Sequence, residues 1–225
     1  MRARIFRNVK WLFFDLGSTI IDENQAGQQR LTEVSDTLGE LGVNVSPSEL
    51  RVSIENANAN FLPNALSAIL DVYLDSDGEK EKVRNSGRYP KELEYLFPGV
   101  RPMLEKLCDS YTLAVVANQP HGTEQRLKDF GILEYFSFCL SSSEEGMAKP
   151  DPKIFHKALE LASCAPGEAI MVGDRIDNDV RPAKELGILT IRVRQGSHRF
   201  QNPRNRLESA DATVDIITEL ENLLV

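Results

Sequence analysis

Aspartate stands out by where it falls. Asp15 closes the apolar run Trp11-Leu12-Phe13-Phe14, Asp174 closes the run Ala169–Gly173, and Asp179 opens the amphipathic stretch that follows. A short continuous apolar run that ends in a turn reads as a buried parallel strand. In open α/β sheets, ligands bind at the carboxyl ends of such strands. Taken singly, Asp174 and Asp179 would fit ordinary helix caps. Several carboxylates on one sheet edge repel one another unless a cation is present. A hard divalent ion with oxygen ligands, Mg²⁺ for preference, resolves that repulsion. Lys149 lies in the turn Gly146–Pro152 and precedes a proline, which disfavours a helical conformation at position 149. A fixed ammonium there could neutralise an aspartate nucleophile and hold a phosphate oxygen, although a lone lysine in a turn is more often a surface residue.

The elements that must position these residues follow from periodicity. Past Pro98 the pattern alternates. Helices are expected over 100–108, 124–130, 152–162, 179–186 and 216–223, and strands over 112–117, 136–141, 169–173, 189–193 and 213–214. Strands alternating with helices imply βαβ units and a parallel sheet. The stretch 24–97 is different. Leu31, Val34, Leu38 and Leu41 recur at helical steps and Gly42 ends them. Ser46-Pro47-Ser48-Glu49 reads as a second helix start, Pro63 must kink or break that helix, and Asp75–Gly78 reads as a loop. The expected fold is α/β, a doubly wound three-layer core with a parallel sheet, Rossmann-like, carrying a helical insertion. The expected boundaries are 1–20 and 98–225 for the core and 21–97 for the insertion.

Composition narrows the function classes. With 225 residues, 41% hydrophobic and 27% charged, the chain can bury a sizeable core. A net charge of −8 disfavours nucleic-acid binding, which needs a basic face. The arginines from Arg192 to Arg206 read as a solvated loop or the rim of an anion site. Three cysteines, Cys108, Cys139 and Cys164, match no zinc spacing and read as reduced apolar fillers. No stretch suits a membrane span. The basic Met1–Lys10 leads into a short strand rather than a secretory core. A cytoplasmic protein with no membrane partner is expected, as a monomer or a homodimer.

Four segments in order carry a resemblance that covers essentially the whole chain: FFDLGST (Phe13–Thr19), VVANQ (Val115–Gln119), AKPDPKIF (Ala148–Phe155) and VGDRIDNDVRPAKELGI (Val172–Ile188). Together they resemble the haloacid dehalogenase superfamily, in its branch with a helical cap after the first strand. The resemblance implies a Mg²⁺-dependent phosphatase acting on a small phosphorylated metabolite. Asp15 would be the nucleophile that forms an aspartyl-phosphate. Asp15, Asp174, Asp179 and the Gly17 carbonyl would hold the metal. Lys149 would be catalytic and would bind phosphate together with Asn118 and the Ala117 position. The cap would set substrate choice, with Arg51, Asn56, Asn58, Asn60 and Asn64 as unranked contacts.

The sequence departs from the family pattern twice. Gly17 stands where most phosphatases of this kind carry a second aspartate that serves as acid and base, a group typically worth about 10²–10⁴-fold in rate. Asp22, Glu23 and His121 are candidate substitutes. Ala117 stands where a hydroxyl usually meets a phosphate oxygen, leaving the Asn118 N–H and side chain to donate. These departures keep two alternatives open: a haloacid-type dehalogenase, and a catalytically weak phospho-ligand-binding or regulatory protein.

Overall fold

The structure is a computed structural model and describes residues 4–225. Its strands are β1 (Trp11–Phe14), β2 (Ile21–Asp22), β3 (Tyr95–Leu96), β4 (Thr112–Ala117), β5 (Phe136–Ser141), β6 (Ala169–Gly173), β7 (Leu189–Val193) and β8 (Ala212–Val214). Its α-helices are α1 (Asn24–Glu40), α2 (Pro47–Ala59), α3 (Ala65–Tyr73), α4 (Asp77–Ser86), α5 (Val100–Cys108), α6 (Thr123–Asp129), α7 (Ser142–Glu145), α8 (Pro152–Ala162), α9 (Arg181–Glu185) and α10 (Leu220–Leu224). The chain divides into two compact units. Among the described residues, one comprises 4–21, 96–195 and 203–225; the other comprises 22–95 and 196–202.

The first unit holds a six-stranded sheet in the order β5-β4-β1-β6-β7-β8, with every pairing parallel. The chain works outward from β1 to β4 and β5 on one side, then from β6 to β7 and β8 on the other. The order therefore reverses beside β1, the place where doubly wound sheets take ligands. Central strands are covered on both faces, which is why they read as unbroken apolar runs. Leu12, Phe14, Val115 and Val172 enter one core with α5, whereas Phe13, Val116 and Met171 enter another with α8. Phe14 sits in register with Val115 on β4 and with Val172 on β6. This places the residues that follow, Asp15, Asn118 and Asp174, at neighbouring strand ends.

The second unit has its own core. The α1 stripe Leu31, Val34 and Leu38 packs with Val45 and Leu50, with Ile69 and Leu70 of α3, and with Val83 of α4. Helix α2 begins with a full capping box: Glu49 N–H donates to Ser46 Oγ at 3.2 Å, and Ser46 N–H donates to Glu49 Oε2 at 2.8 Å. Pro63 separates α2 from α3. The segment 196–202 belongs to this unit through α2. Arg199 Nη2 donates to Glu55 Oε1 at 2.9 Å, and Gln201 Nε2 donates to the Asn58 carbonyl at 3.3 Å.

The structure corrects four expectations. Asp75–Gly78 is only partly a loop, because Ser76 caps α4 and its hydroxyl accepts from Glu79 N–H. The stretch expected as one helix over 179–186 is a π-turn, Ile176–Val180, that runs into the short α9. The last helix is reached through a 3₁₀ turn, Ile217–Glu219. Cys108 is exposed and so is no core filler, whereas burial pushes the Cys139 thiol up to about 12. No helix among the described residues is long and apolar enough to cross a membrane.

Candidate active site

Asp15 follows β1 directly, and its N–H donates to the Val172 carbonyl of β6 at 2.9 Å. Its side chain is buried with those of Asp174, immediately after β6, and Asp179, in the π-turn. One carboxylate oxygen from each lies within 4.8 Å of the others. Lys149 Nζ enters this cluster from the turn before α8. It donates to Asp15 Oδ1 at 2.7 Å and to Asp179 Oδ1 at 2.5 Å, with its side chain 1% exposed.

The electrostatics follow from that geometry. Burial works to strip the Lys149 proton, but Asp15 and Asp179 outweigh it and hold the pKa above its ordinary value. Asp179 is pushed up to about 7. Burial is the main cause; Lys149 pulls it down while Asp15 and Asp174 push it back up. Three carboxylates against one ammonium leave the fully ionised cluster with an excess of negative charge. An all-oxygen, charge-rich donor set of this kind suits a hard divalent cation such as Mg²⁺.

Several supporting contacts gave no signal in the sequence. Asn118, one residue past β4, spends its side chain on Lys149: Nδ2 donates to the Lys149 carbonyl at 2.7 Å, and Oδ1 accepts from the Lys149 N–H at 2.8 Å. The carboxamide expected to meet phosphate is thus engaged within the protein. Arg175 N–H donates to Asp179 Oδ2 at 3.0 Å. The buried Arg192 reaches the Asp174 carbonyl with Nε at 3.4 Å, and burial pushes its guanidinium pKa down. Thr19 Oγ1 makes a long 3.4 Å contact with Asp15 Oδ2, and like Asn118, Gly173 and Arg175 it lies within one of the four family-like segments. Gly173 packs so close to Asp179 that a Cβ there would meet its carboxylate at 2.4 Å.

The remaining predicted residues are placed as follows. Ala117 ends β4 and is wholly buried. Gly17 lies in the turn after β1 and bridges Ile21. His121 is exposed in the β4–α6 connection. Asp22 and Glu23 fall in the helical unit, where the Asp22 carboxylate accepts from the Asn24 N–H and Nδ2. The structure therefore brings together Asp15, Asn118, Lys149, Asp174 and Asp179, and leaves His121 on the surface.

Residues 12–193 match the family model described as haloacid dehalogenase-like hydrolase. The chain belongs to that family. This hydrolase is 28% identical over 204 residues to a glyceraldehyde 3-phosphate phosphatase of Methanopyrus kandleri, covering 89% of this chain and 81% of the relative. It is 27% identical over 226 residues to the protein of the same name from Pyrococcus furiosus, covering 97% and 92%. Among solved structures, the haloacid dehalogenase-family phosphatase from Thermococcus onnurineus superposes with a TM-score of 0.61 at 26% identity, covering 95% of this chain and 97% of that one.

Proposed function

We propose that this hydrolase is a Mg²⁺-dependent phosphatase that cleaves small phosphorylated metabolites through an aspartyl-phosphate on Asp15. The observation that carries this reading is the buried Lys149 ammonium set between Asp15 and Asp179, with Asp174 in the same cluster. The names of the two archaeal relatives support the substrate class. The helical unit, 22–95 with 196–202, has the place in the chain of the family's cap, and we assign it the choice of substrate.

Asp15 attacks phosphorus, its O–P bond forms as the P–O bond to the leaving group breaks, and the departing oxygen takes its proton from solvent. Water then cleaves the acyl phosphate, releasing inorganic phosphate and regenerating the Asp15 carboxylate. Lys149 holds the nucleophile by a charge-assisted bond and offsets charge on the phosphoryl oxygens. Asp15, Asp174 and the Gly17 carbonyl, with Asp179 in support, would hold Mg²⁺, which would supply positive charge against the transferring group. Gly17 has no side chain to protonate the leaving oxygen, so substrates with good leaving groups should turn over best.

Phosphate release is the decisive measurement, with and without Mg²⁺ and with Asp15→Asn as control. The substrates are acetyl phosphate, p-nitrophenyl phosphate, glyceraldehyde 3-phosphate and sugar phosphates. Mg²⁺-dependent release that vanishes in the variant supports the reading. Halide release from 2-haloacids that survives EDTA would replace it with dehalogenation. Stabilisation by phosphate ligands without turnover would replace it with a binding role.

A further inference from the structure

Lys149 has an unusual positioning problem. Its ammonium must reach two carboxylates at 2.7 and 2.5 Å, yet its backbone lies in an irregular turn between α7 and α8. No helix or strand ladder fixes that peptide. A lysine side chain has many rotamers, so a small drift of the main chain would carry the ammonium away from both partners. The structure holds the peptide from the sheet. Asn118 follows the last residue of β4 and bonds both the N–H and the C=O of Lys149, at 2.8 and 2.7 Å. β4 pairs with β1 in register, Phe14 against Val115, and β1 leads directly into Asp15. The Asn118 clamp therefore references Lys149 to the same sheet edge that carries Asp15.

The loop that presents Asn118 is itself pinned. The next residue, Gln119, gives its N–H to Ser142 Oγ at 3.1 Å, and its carbonyl accepts from the Ser141 and Ser142 hydroxyls and from Ser143 N–H. The Gln119 side chain accepts from Arg126 Nη1 at 2.5 Å. A carboxamide is the side chain suited to this task, since it sets an N–H donor group and a carbonyl acceptor side by side in one plane.

We propose that Asn118 is a positioning residue whose carboxamide clamps the Lys149 main chain and so sets the ammonium between Asp15 and Asp179. Its kinetic consequence rests on the phosphatase reading; its structural consequence does not. Asn118→Ala removes both bonds. Asn118→Asp keeps the acceptor but turns an oxygen toward the Lys149 carbonyl, and it serves if the alanine variant does not fold.

The experiment couples amine labelling with kinetics. Lysine reactivity is mapped by peptide mass spectrometry on the folded full chain in EDTA. Lys184 is the internal control; it is held by the Ser209 carbonyl and Asp211 at 2.7 and 3.0 Å. Each variant should raise labelling at Lys149 about ten-fold or more and leave Lys184 within about two-fold. With p-nitrophenyl phosphate and Mg²⁺, kcat should fall roughly 10–100-fold, the scale of an ångström-level misplacement. Labelling that rises equally at both lysines would mean general loosening and overturns the proposal. Unchanged Lys149 labelling with a raised KM and a retained kcat would make Asn118 a direct phosphate ligand and also overturns it. If the wild type releases no phosphate while labelling still rises at Lys149 alone, the phosphatase reading fails and the clamp stands.

Discussion

With no cation bound, stability should fall as pH rises, and the acidic cluster sets the size of the effect. Carboxylate oxygens that lie within 4.8 Å of one another repel by roughly 3 kcal/mol or more per pair at an effective dielectric near 20. One ammonium cannot offset every pair. Asp179 accordingly has its pKa raised from 3.8 to about 7 in the metal-free protein. The folded state then holds a proton that the unfolded chain has released. Stability is fully present below about pH 4 and is lost as pH climbs through about 7, by about 4 kcal/mol in all and about 2–3 kcal/mol between about pH 5 and about pH 8. Urea unfolding in EDTA across that range should show the loss. Saturating Mg²⁺ should abolish it, because an ion held by the ionised carboxylates would stabilise the native state alone. Asp179→Asn, which has no proton to lose, should flatten the EDTA profile. An EDTA midpoint constant with pH, or an Asp179→Asn profile as steep as wild type, would refute the electrostatic account.

Three further outcomes are expected. Gly17 does not adopt a positive φ, so Gly17→Asp is conformationally permitted and should speed hydrolysis of sugar phosphates about 10²-fold or more, with little gain on p-nitrophenyl phosphate; equal gains on both would show that leaving-group protonation is not the deficit. Gly173→Ala would drive a Cβ into the Asp179 carboxylate, and the Mg²⁺-induced rise in Tm should need about ten-fold more ion or greater. Ser46→Ala removes the α2 cap and should cost about 1 kcal/mol in urea unfolding, with phosphate release at saturating substrate unaltered.

Much of the sheet was legible because burial on both faces writes itself as apolar runs. Trp11–Phe14, Thr112–Ala117, Phe136–Ser141, Ala169–Gly173 and Leu189–Val193 are strands as the runs imply. Helix α8 matched from Pro152 to Ala162 because Asp151 caps it, accepting from Lys153 N–H, and Pro152 starts it. Helix α4 was missed for the opposite reason. Its sequence DGEKEKVRNS buries only Val83, so no apolar period exists to detect, and the one cue was Ser76 with Glu79 three residues on. The convergence of Asp15, Asp174 and Asp179 could be read from strand ends. What those residues lean on could not. The Asn118–Lys149 clamp joins positions 31 apart, and the Arg192 contact with the Asp174 carbonyl spans 18. Such contacts are set by how the strands lie side by side, and no local pattern encodes them.

The membership of 196–202 in the helical unit bears on the order in which the protein can be built. As the chain leaves the ribosome, α1 to α4 emerge early, with Glu55 and Asn58 in place on α2. Arg199 and Gln201, their partners at 2.9 and 3.3 Å, appear only after β7 has been made. The helical unit is therefore encoded in two instalments, and its last contacts form late in synthesis. A gene segment covering 22–95 alone would deliver that unit unfinished, so exchanging it between relatives as a self-contained cassette would leave behind the residues that complete it.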